Sequence, residues 1–278
     1  MNPNVTLTST RTVDGGYLID GINYDYSKFP GGEIHVRIPK KISRCTIKAS
    51  ICGSDDLMTV LLLNDAAKRA GAMYVSLELM YIPYAQQDRI CESGEALSVK
   101  IMADLINSCG FNRVTVYDPH SYVSTALINN CKIVEVADIL TSEKFQSKLD
   151  GLIDVLVAPD AGAYKKVLNV SRFGDVPVVH ATKNRVNGEV QSVTLHGDVA
   201  GKNCLVIDDI CVGGRTFTEL GKALKEAGAG DLSLYVTHGI FSKGLDELNL
   251  YYKKIYSTDS RPEAVKLAEE KKIELVKL

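Results

Sequence analysis

Cys204-Leu-Val-Ile-Asp208-Asp209-Ile-Cys-Val-Gly213-Gly214-Arg215-Thr216-Phe217 is the stretch whose reading decides the fold. Cys204 to Ile207 is an apolar run with the look of a buried strand. Phe217, Leu220 and Leu224 then recur at helical spacing until Gly228. A strand, a tight turn and a helix are therefore predicted in that order. Two carboxylates stand at the strand's C-terminal end, where open α/β sheets place their ligands. The Gly-Gly-Arg-Thr turn offers backbone N–H groups, a hydroxyl and a helix start, which together suit a phosphate. The Arg215 guanidinium adds a fork of donors matched to phosphate oxygens. Adjacent aspartates beside such a cradle suit sugar hydroxyls or Mg2+. The plainer reading is a capped strand–turn–helix with solvated acids. Two glycines, an arginine and a threonine after a di-acid are hard to explain as packing alone.

Outward from this stretch, short β-rich runs alternate with helical patterns, which predicts an α/β protein. Val155–Ala158 and Leu232–Val236 read as strands of the same half as Cys204–Ile207. Pro262 suits the first turn of a final helix reaching about Lys272, and Ile273–Val276 reads as a last strand. In the first half, Met58, Leu61, Leu62 and Ala66 define one helical stripe, stopped by Gly71. Leu97, Ile101 and Leu105 define another, stopped by Gly110, and Val114–Tyr117 reads as a strand. The halves meet near residues 138–145 without a Pro/Gly/Ser-rich linker. Domains of 1–140 and 141–278 are expected, each a mostly parallel sheet flanked by helices. Thr182 to Gly197 is polar and aperiodic, and is read as a mobile loop or a hairpin over a site.

The chain has 278 residues, 45% hydrophobic and 24% charged, with a formal net charge of −2. This is two domains' worth of ordinary globular sequence, which argues against disorder, collagen and coiled coil. Balanced charge argues against a nucleic-acid-binding surface, and no apolar run is long enough to span a membrane. Seven scattered cysteines without a C-x-x-C pair read as reduced thiols, hence a cytoplasmic protein.

Several segments, taken in order, resemble the ribose-phosphate diphosphokinase (phosphoribosyl-diphosphate synthetase) family. Phe29-Pro-Gly-Gly-Glu33 resembles its adenine-contacting loop, and Tyr81-Ile-Pro-Tyr84-Ala-Gln86-Gln87-Asp88-Arg89 its ATP-binding segment. Asp55-Asp56-Leu-Met58 through Ala70 is similar to its first-domain helix. Tyr117-Asp118-Pro-His120 resembles its Asp-x-His metal motif, and Ala158-Pro-Asp160-Ala-Gly162 its ribose-phosphate motif. Thr182-Lys183-Asn-Arg185 resembles the Lys-x-Arg of its catalytic loop, Asp208 to Thr216 its phosphate loop, and Val236 to Ser242 a further segment. The resemblance implies two phosphoribosyltransferase-like domains facing one cleft. The implied reaction moves the β,γ-diphosphate of Mg-ATP to the anomeric hydroxyl of a ribose 5-phosphate-type acceptor.

The residues carry this implication as follows. Phe29 would stack on adenine and Glu33 would accept from its amino group. Gln86, Gln87, Asp88, Arg89 and His120 would line ATP. Asp118 and His120, at i and i+2 of a strand end, would face one side and hold Mg2+ together with Asp160. Lys183 and Arg185 would stabilise the diphosphoryl group in flight, although residues of their type in a polar loop are usually solvated surface. Asp160, Gly162, Asp208 and Asp209 would hold the ribose, and Gly213, Gly214, Arg215 and Thr216 its phosphate. A homo-oligomer of at least two copies is implied, because Phe29 and Glu33 would reach a neighbour's ATP. The cysteines, Cys211 included, and His35, His180 and His196 are assigned no role.

The chain departs from the family pattern in three places. Gln86 stands where an arginine is usual, Val212 stands where the phosphate loop normally carries a third acid, and the chain reads as trimmed at both ends. Val212 and Arg215 open a second acceptor, ADP-ribose, which would connect the protein to NAD salvage. A phosphoribosyltransferase and a non-catalytic synthetase-associated subunit are the rivals. The first needs neither the ATP segment nor the Lys-x-Arg loop, and the second would not be expected to keep Asp118, His120, Lys183 and Arg185.

Overall fold

The computed structural model describes residues 2, 4–13, 16–141, 153–172, 174–186 and 189–278. The side chains of 9–13, 16–20, 183–186 and 189–192 lie outside that description. The chain divides into two compact units, Met1–Val134 and Glu135–Leu278.

The first unit is built on a six-stranded sheet. Its strands are β1 (Val5–Val13), β2 (Gly16–Gly21), β5 (Arg44–Ser50), β6 (Tyr74–Tyr81), β7 (Arg113–Tyr117) and β8 (Cys131–Val134), in the order β2-β1-β5-β6-β7-β8. The pairs β5–β6, β6–β7 and β7–β8 are parallel, and helices α1 (Ser54–Arg69), α2 (Ser98–Ser108) and α3 (Tyr122–Leu127) supply the crossovers. Asp25–Lys28 (β3) and Ile34–Arg37 (β4) form a separate antiparallel hairpin. The Phe29 amide donates to the Glu33 carbonyl at 2.9 Å across its turn, where Gly32 takes a left-handed φ of 95°.

Two helices turn a different face inward from the one their sequence spacing suggests. In α1 the buried residues are Asp56, Thr59, Val60, Leu63, Asn64 and Ala67, whereas Met58 is exposed and Leu61, Leu62 and Ala66 are only partly covered. The polar members of that inner face find partners, several of them distant in sequence, although among the described residues Asn64 Oδ1 is buried without one. Asp56 accepts from Asn2 (2.8 Å) and from the Cys52 amide (2.9 Å), Thr59 donates to the Asp55 carbonyl (2.7 Å), and Asn64 to the Cys109 carbonyl (2.9 Å). In α2 the core takes Val99, Met102, Ala103 and Ile106, and Ile101 and Leu105 face outward.

The second unit holds a seven-stranded sheet. Its strands are β9 (Val155–Ala158), β10 (Val178–Val186), β11 (Glu189–His196), β12 (Cys204–Cys211), β13 (Leu232–Gly239), β14 (Tyr252–Thr258) and β15 (Glu274–Val276), in the order β11-β10-β9-β12-β13-β14-β15. Every pair is parallel except β10–β11. Among the described residues the helices are α4 (Val136–Leu140), α5 (Ala161–Ser171), α6 (Arg215–Glu226), α7 (Asp246–Asn249) and α8 (Pro262–Glu269). All eight residues of β13 are buried, as expected of a strand covered on both faces. Thr182–Gly197, read from sequence as a loop or a hairpin, falls largely on the antiparallel pair β10–β11. At the foot of this hairpin the His180 and His196 rings stack 4.4 Å apart.

The strand order fixes where a ligand site belongs. From β9 the chain moves outward to β10 and β11, then returns to β12 on the other side of β9 and continues away. The order therefore reverses between β9 and β12. Ligands in open α/β sheets bind outside the carboxyl ends of the strands at such a switch point.

Candidate active site

Asp160 follows β9, and Asp208 and Asp209 lie in the C-terminal half of β12, so three acids flank the switch point. Asp160 accepts from the Gly162 and Ala163 amides at 3.0 and 3.1 Å and so caps α5. Asp209 is buried, and the Lys166 ammonium of α5 stands 3.9 Å from its Oδ2. Asp208 accepts the Asp209 amide at 2.9 Å. Its carboxyl is pushed well above the usual carboxylate range, first by desolvation, then by the Asp209 charge and a hydrogen bond between the two carboxyl groups, and then by Asp160. Acids held this close favour a positively charged or hydroxyl-bearing ligand.

Directly after them the chain forms the cradle. Gly214 precedes α6 in the left-handed conformation, with φ of 81°, which a side chain would strain. Arg215 opens the helix and pairs with Glu219 one turn on, at 2.9 Å, with most of its side chain in solvent. Inside the turn the Cys211 thiol receives a hydrogen bond from the Gly214 backbone, yet burial pushes its pKa up to about 12. Cys211 therefore stays a thiol at neutral pH, in keeping with its lack of an assigned role. Alkylation at pH 8 followed by mass spectrometry should label the exposed Cys52 and Cys91 first and leave Cys211 unmodified in the folded protein. Rapid labelling of Cys211 would contradict this environment.

The first unit carries the other predicted residues. Phe29 is 55% exposed on the β3–β4 turn, with the His35 ring edge-on at 5.6 Å, and Glu33 is exposed beside it. Gln86 and Gln87 are exposed beyond Tyr84, a non-glycine residue at φ of 64°. Asp88 is held below the usual carboxylate range by Arg89 (2.8 Å), then by Ser121, with His120 contributing from nearby. Asp88, Arg89 and His120 are thus brought together.

The geometry expected of Asp118 and His120 is corrected. Strand β7 ends at Tyr117, and Asp118 lies beyond it in the left-handed region, with φ of 37° and its amide bonded to the Val134 carbonyl at 2.8 Å. The alternation that would put both side chains on one face does not continue through such a residue. Asp118 is fully buried and His120 exposed. Among the described residues no group of three or more His, Cys, Asp or Glu side chains could hold a metal ion. The Lys183 and Arg185 side chains fall outside the described residues; their backbones belong to β10, with a bulge between Asn184 and Arg185.

Lys166 and His35 were not singled out from the sequence. A lysine six residues after Asp160 in a helix carries no signal of its own, and His35 is recognisable only once the β3–β4 register sets it near Phe29.

A family model described as the N-terminal domain of ribose phosphate pyrophosphokinase matches residues 11–110, and one described as the phosphoribosyl transferase domain matches residues 124–270. A ribose-phosphate pyrophosphokinase from Corynebacterium efficiens is 32% identical over 246 residues, covering 85% of this chain and 76% of that protein. The chain belongs to the ribose-phosphate pyrophosphokinase family. Another member, from Pyrococcus abyssi, is 31% identical over 231 residues, covering 81% of this chain and 79% of that protein. The crystal structure of phosphoribosylpyrophosphate synthetase from Mycobacterium smegmatis superposes with a TM-score of 0.77 at 26% identity, over 92% of this chain and 86% of that one. The α/β architecture of this pyrophosphokinase-family chain is therefore shared with a solved family structure. Among the described residues no helix is long and apolar enough to cross a membrane.

Proposed function

We propose that the protein transfers the β,γ-diphosphoryl group of Mg-ATP to the anomeric hydroxyl of ribose 5-phosphate and releases AMP. The observation that carries this reading is the placement of Asp160, Asp208 and Asp209 at the switch point, with the Gly213–Thr216 helix start directly after them. Asp208 and Asp209 orient the ribose through its hydroxyls. Amides and the Thr216 hydroxyl, with Arg215, hold the 5-phosphate. Phe29 and Glu33 take the adenine, and Gln86 to Arg89 with His120 line the triphosphate. The acceptor oxygen forms a bond to the β-phosphorus, the bond from that phosphorus to the α,β-bridging oxygen breaks, and the hydroxyl proton passes to solvent. Lys183 and Arg185 neutralise charge on the moving group, and catalysis is positioning plus electrostatics.

Mg2+ would be bound together with ATP. The donor chemistry fits: Mg2+ keeps most of its waters and needs one or two carboxylates beside the phosphates, so no three-residue cage is required. His120, exposed on the first unit, and Asp160, at the switch point of the second, are the accessible groups among those assigned to it, and its contribution would be to offset phosphate charge. The protein is assigned to the cytoplasm and to a homo-oligomer in which Phe29 and Glu33 serve a neighbour's ATP.

Val212 favours a second acceptor reading. It is 41% exposed where the family pattern carries an acid, and the Arg215 side chain, three residues on, is mostly in solvent while paired with Glu219. ADP-ribose, a 5-diphosphate ester, fits that loop and would place the enzyme in NAD salvage. The test measures AMP release from Mg-ATP with ribose 5-phosphate, with ADP-ribose and with neither. AMP formed only with an acceptor supports diphosphoryl transfer, and the better acceptor identifies the substrate. Turnover of phosphoribosyl diphosphate with a base, or no turnover at all, would replace this reading with one of its rivals.

A further inference from the structure

The sequence marks the segment after β13 only by its family resemblance, and Lys243 has no part in the site formed by Asp160, Asp208, Asp209 and the Gly213–Thr216 turn. The structure ties this segment to the end of β12. Ile240 and Phe241 donate their amides to the Cys211 carbonyl at 2.9 and 3.1 Å. Ser242 donates both its amide (2.8 Å) and its hydroxyl (3.0 Å) to the Val212 carbonyl. Phe241 is buried at a left-handed φ of 48°, and its ring fills the space beside Gly239, where a Cβ would come within 2.2 Å of the ring. A non-glycine residue keeps such a conformation when its surroundings over-determine it. Lys243, two residues on, is thereby delivered to a fixed place. The Lys243 stem lies across Gly213: its Cδ and Cε are each 3.8 Å from the position a Gly213 Cβ would occupy. Long lysine stems pack along such surfaces while the charged head stays in water. The Lys243 ammonium, one bond past Cε, makes no ion pair with any described residue, and the side chain is exposed.

We propose that Lys243 is a further binding residue for the phosphate end of the acceptor, reaching the Gly213–Thr216 cradle from a second loop. The inference rests on the acceptor cradle proposed above. It assigns the acceptor's phosphate group two side-chain cations from different elements, Arg215 from α6 and Lys243 from the strapped loop. A point charge on a flexible stem suits a phosphate that presents oxygens in several directions.

The experiment compares the wild-type full chain with Lys243→Ala and Lys243→Arg. Calorimetry with ribose 5-phosphate and with ADP-ribose, without ATP, reads binding directly, and AMP release reads KM and kcat. Lys243→Ala should weaken Kd for the better-binding of the two esters, and raise KM for the better substrate, about 5- to 10-fold, the order of one exposed charge-assisted contact. Its kcat should stay within about 2-fold, and Lys243→Arg should recover most of the loss. If wild type binds an ester and Lys243→Ala binds it equally well, the Lys243 inference is overturned and the diphosphoryl-transfer reading stands. If wild type binds an ester but releases no AMP, that reading falls and the binding comparison still decides Lys243. Wild type binding neither ester overturns the inference outright.

Discussion

Lys183→Ala is expected to lower kcat about 10²-fold or more, with little change in KM for ATP and an unchanged melting temperature. A donor aimed at charge that develops only in the transition state contributes on that order when removed. Phosphoryl transfer offers the protein little else to do, because the chemistry is positioning and charge neutralisation. The fold should tolerate the change. Residue 183 holds its place through backbone pairing with Val193 in the β10–β11 ladder, and that pairing does not depend on the side chain. Arg185→Ala should act in the same direction. Steady-state kinetics of AMP release beside a thermal melt separates the two effects, and an unchanged kcat would remove Lys183 from the mechanism.

Asp208→Asn should make the protein less active and, at neutral pH and above, more stable. Ribose hydroxyls that bond a carboxylate lose a charge-assisted partner, which corresponds to a fall in kcat/KM of roughly 10- to 10²-fold. The stability effect follows from the carboxyl's raised pKa. A carboxyl that holds its proton more tightly in the folded state than in the unfolded chain favours folding most at low pH. That advantage is lost as pH rises from the ordinary carboxylate range through the raised folded value. The amide cannot ionise, so the variant should lack this downward slope and melt at a higher temperature than wild type near pH 8. Parallel melting curves against pH for the two proteins would show that Asp208 is not the group responsible. Gain of stability with loss of function is a common sign of a site held against its own folding preference.

The strand–turn–helix at 204–228 was legible because every level agrees there. The apolar run, the acids, the glycines and the helix stripe of Phe217, Leu220 and Leu224 all point one way, and those three residues are buried. The faces of α1 and α2 were not legible. In α1, Val60, Leu63 and Ala67 satisfy helical spacing as well as Met58, Leu62 and Ala66 do. The true inner face is disguised by Asp56, Thr59 and Asn64, whose partners Asn2, Asp55 and Cys109 emerge only on folding. The Asp118–His120 geometry was missed because two-residue alternation assumes a continuing strand, and a left-handed residue ends it. Lys243 carried no local pattern at all. Its relevance depends on hydrogen bonds between segments some 30 residues apart, such as Ser242 to Val212.

Strand β12, with its acid pair, is the middle of seven strands, and β11 is an outermost one. Local opening in proteins is graded, with the highest free energies in central strands and the lowest at edges. Asp208 and Asp209, proposed to orient the sugar, are thus mounted where amide hydrogen exchange should be slowest. The β10–β11 hairpin, with β11 at the sheet's edge, should exchange sooner. If Lys183 and Arg185 act as proposed, one sheet keeps its recognition acids on its most protected strand and its catalytic cations toward its edge.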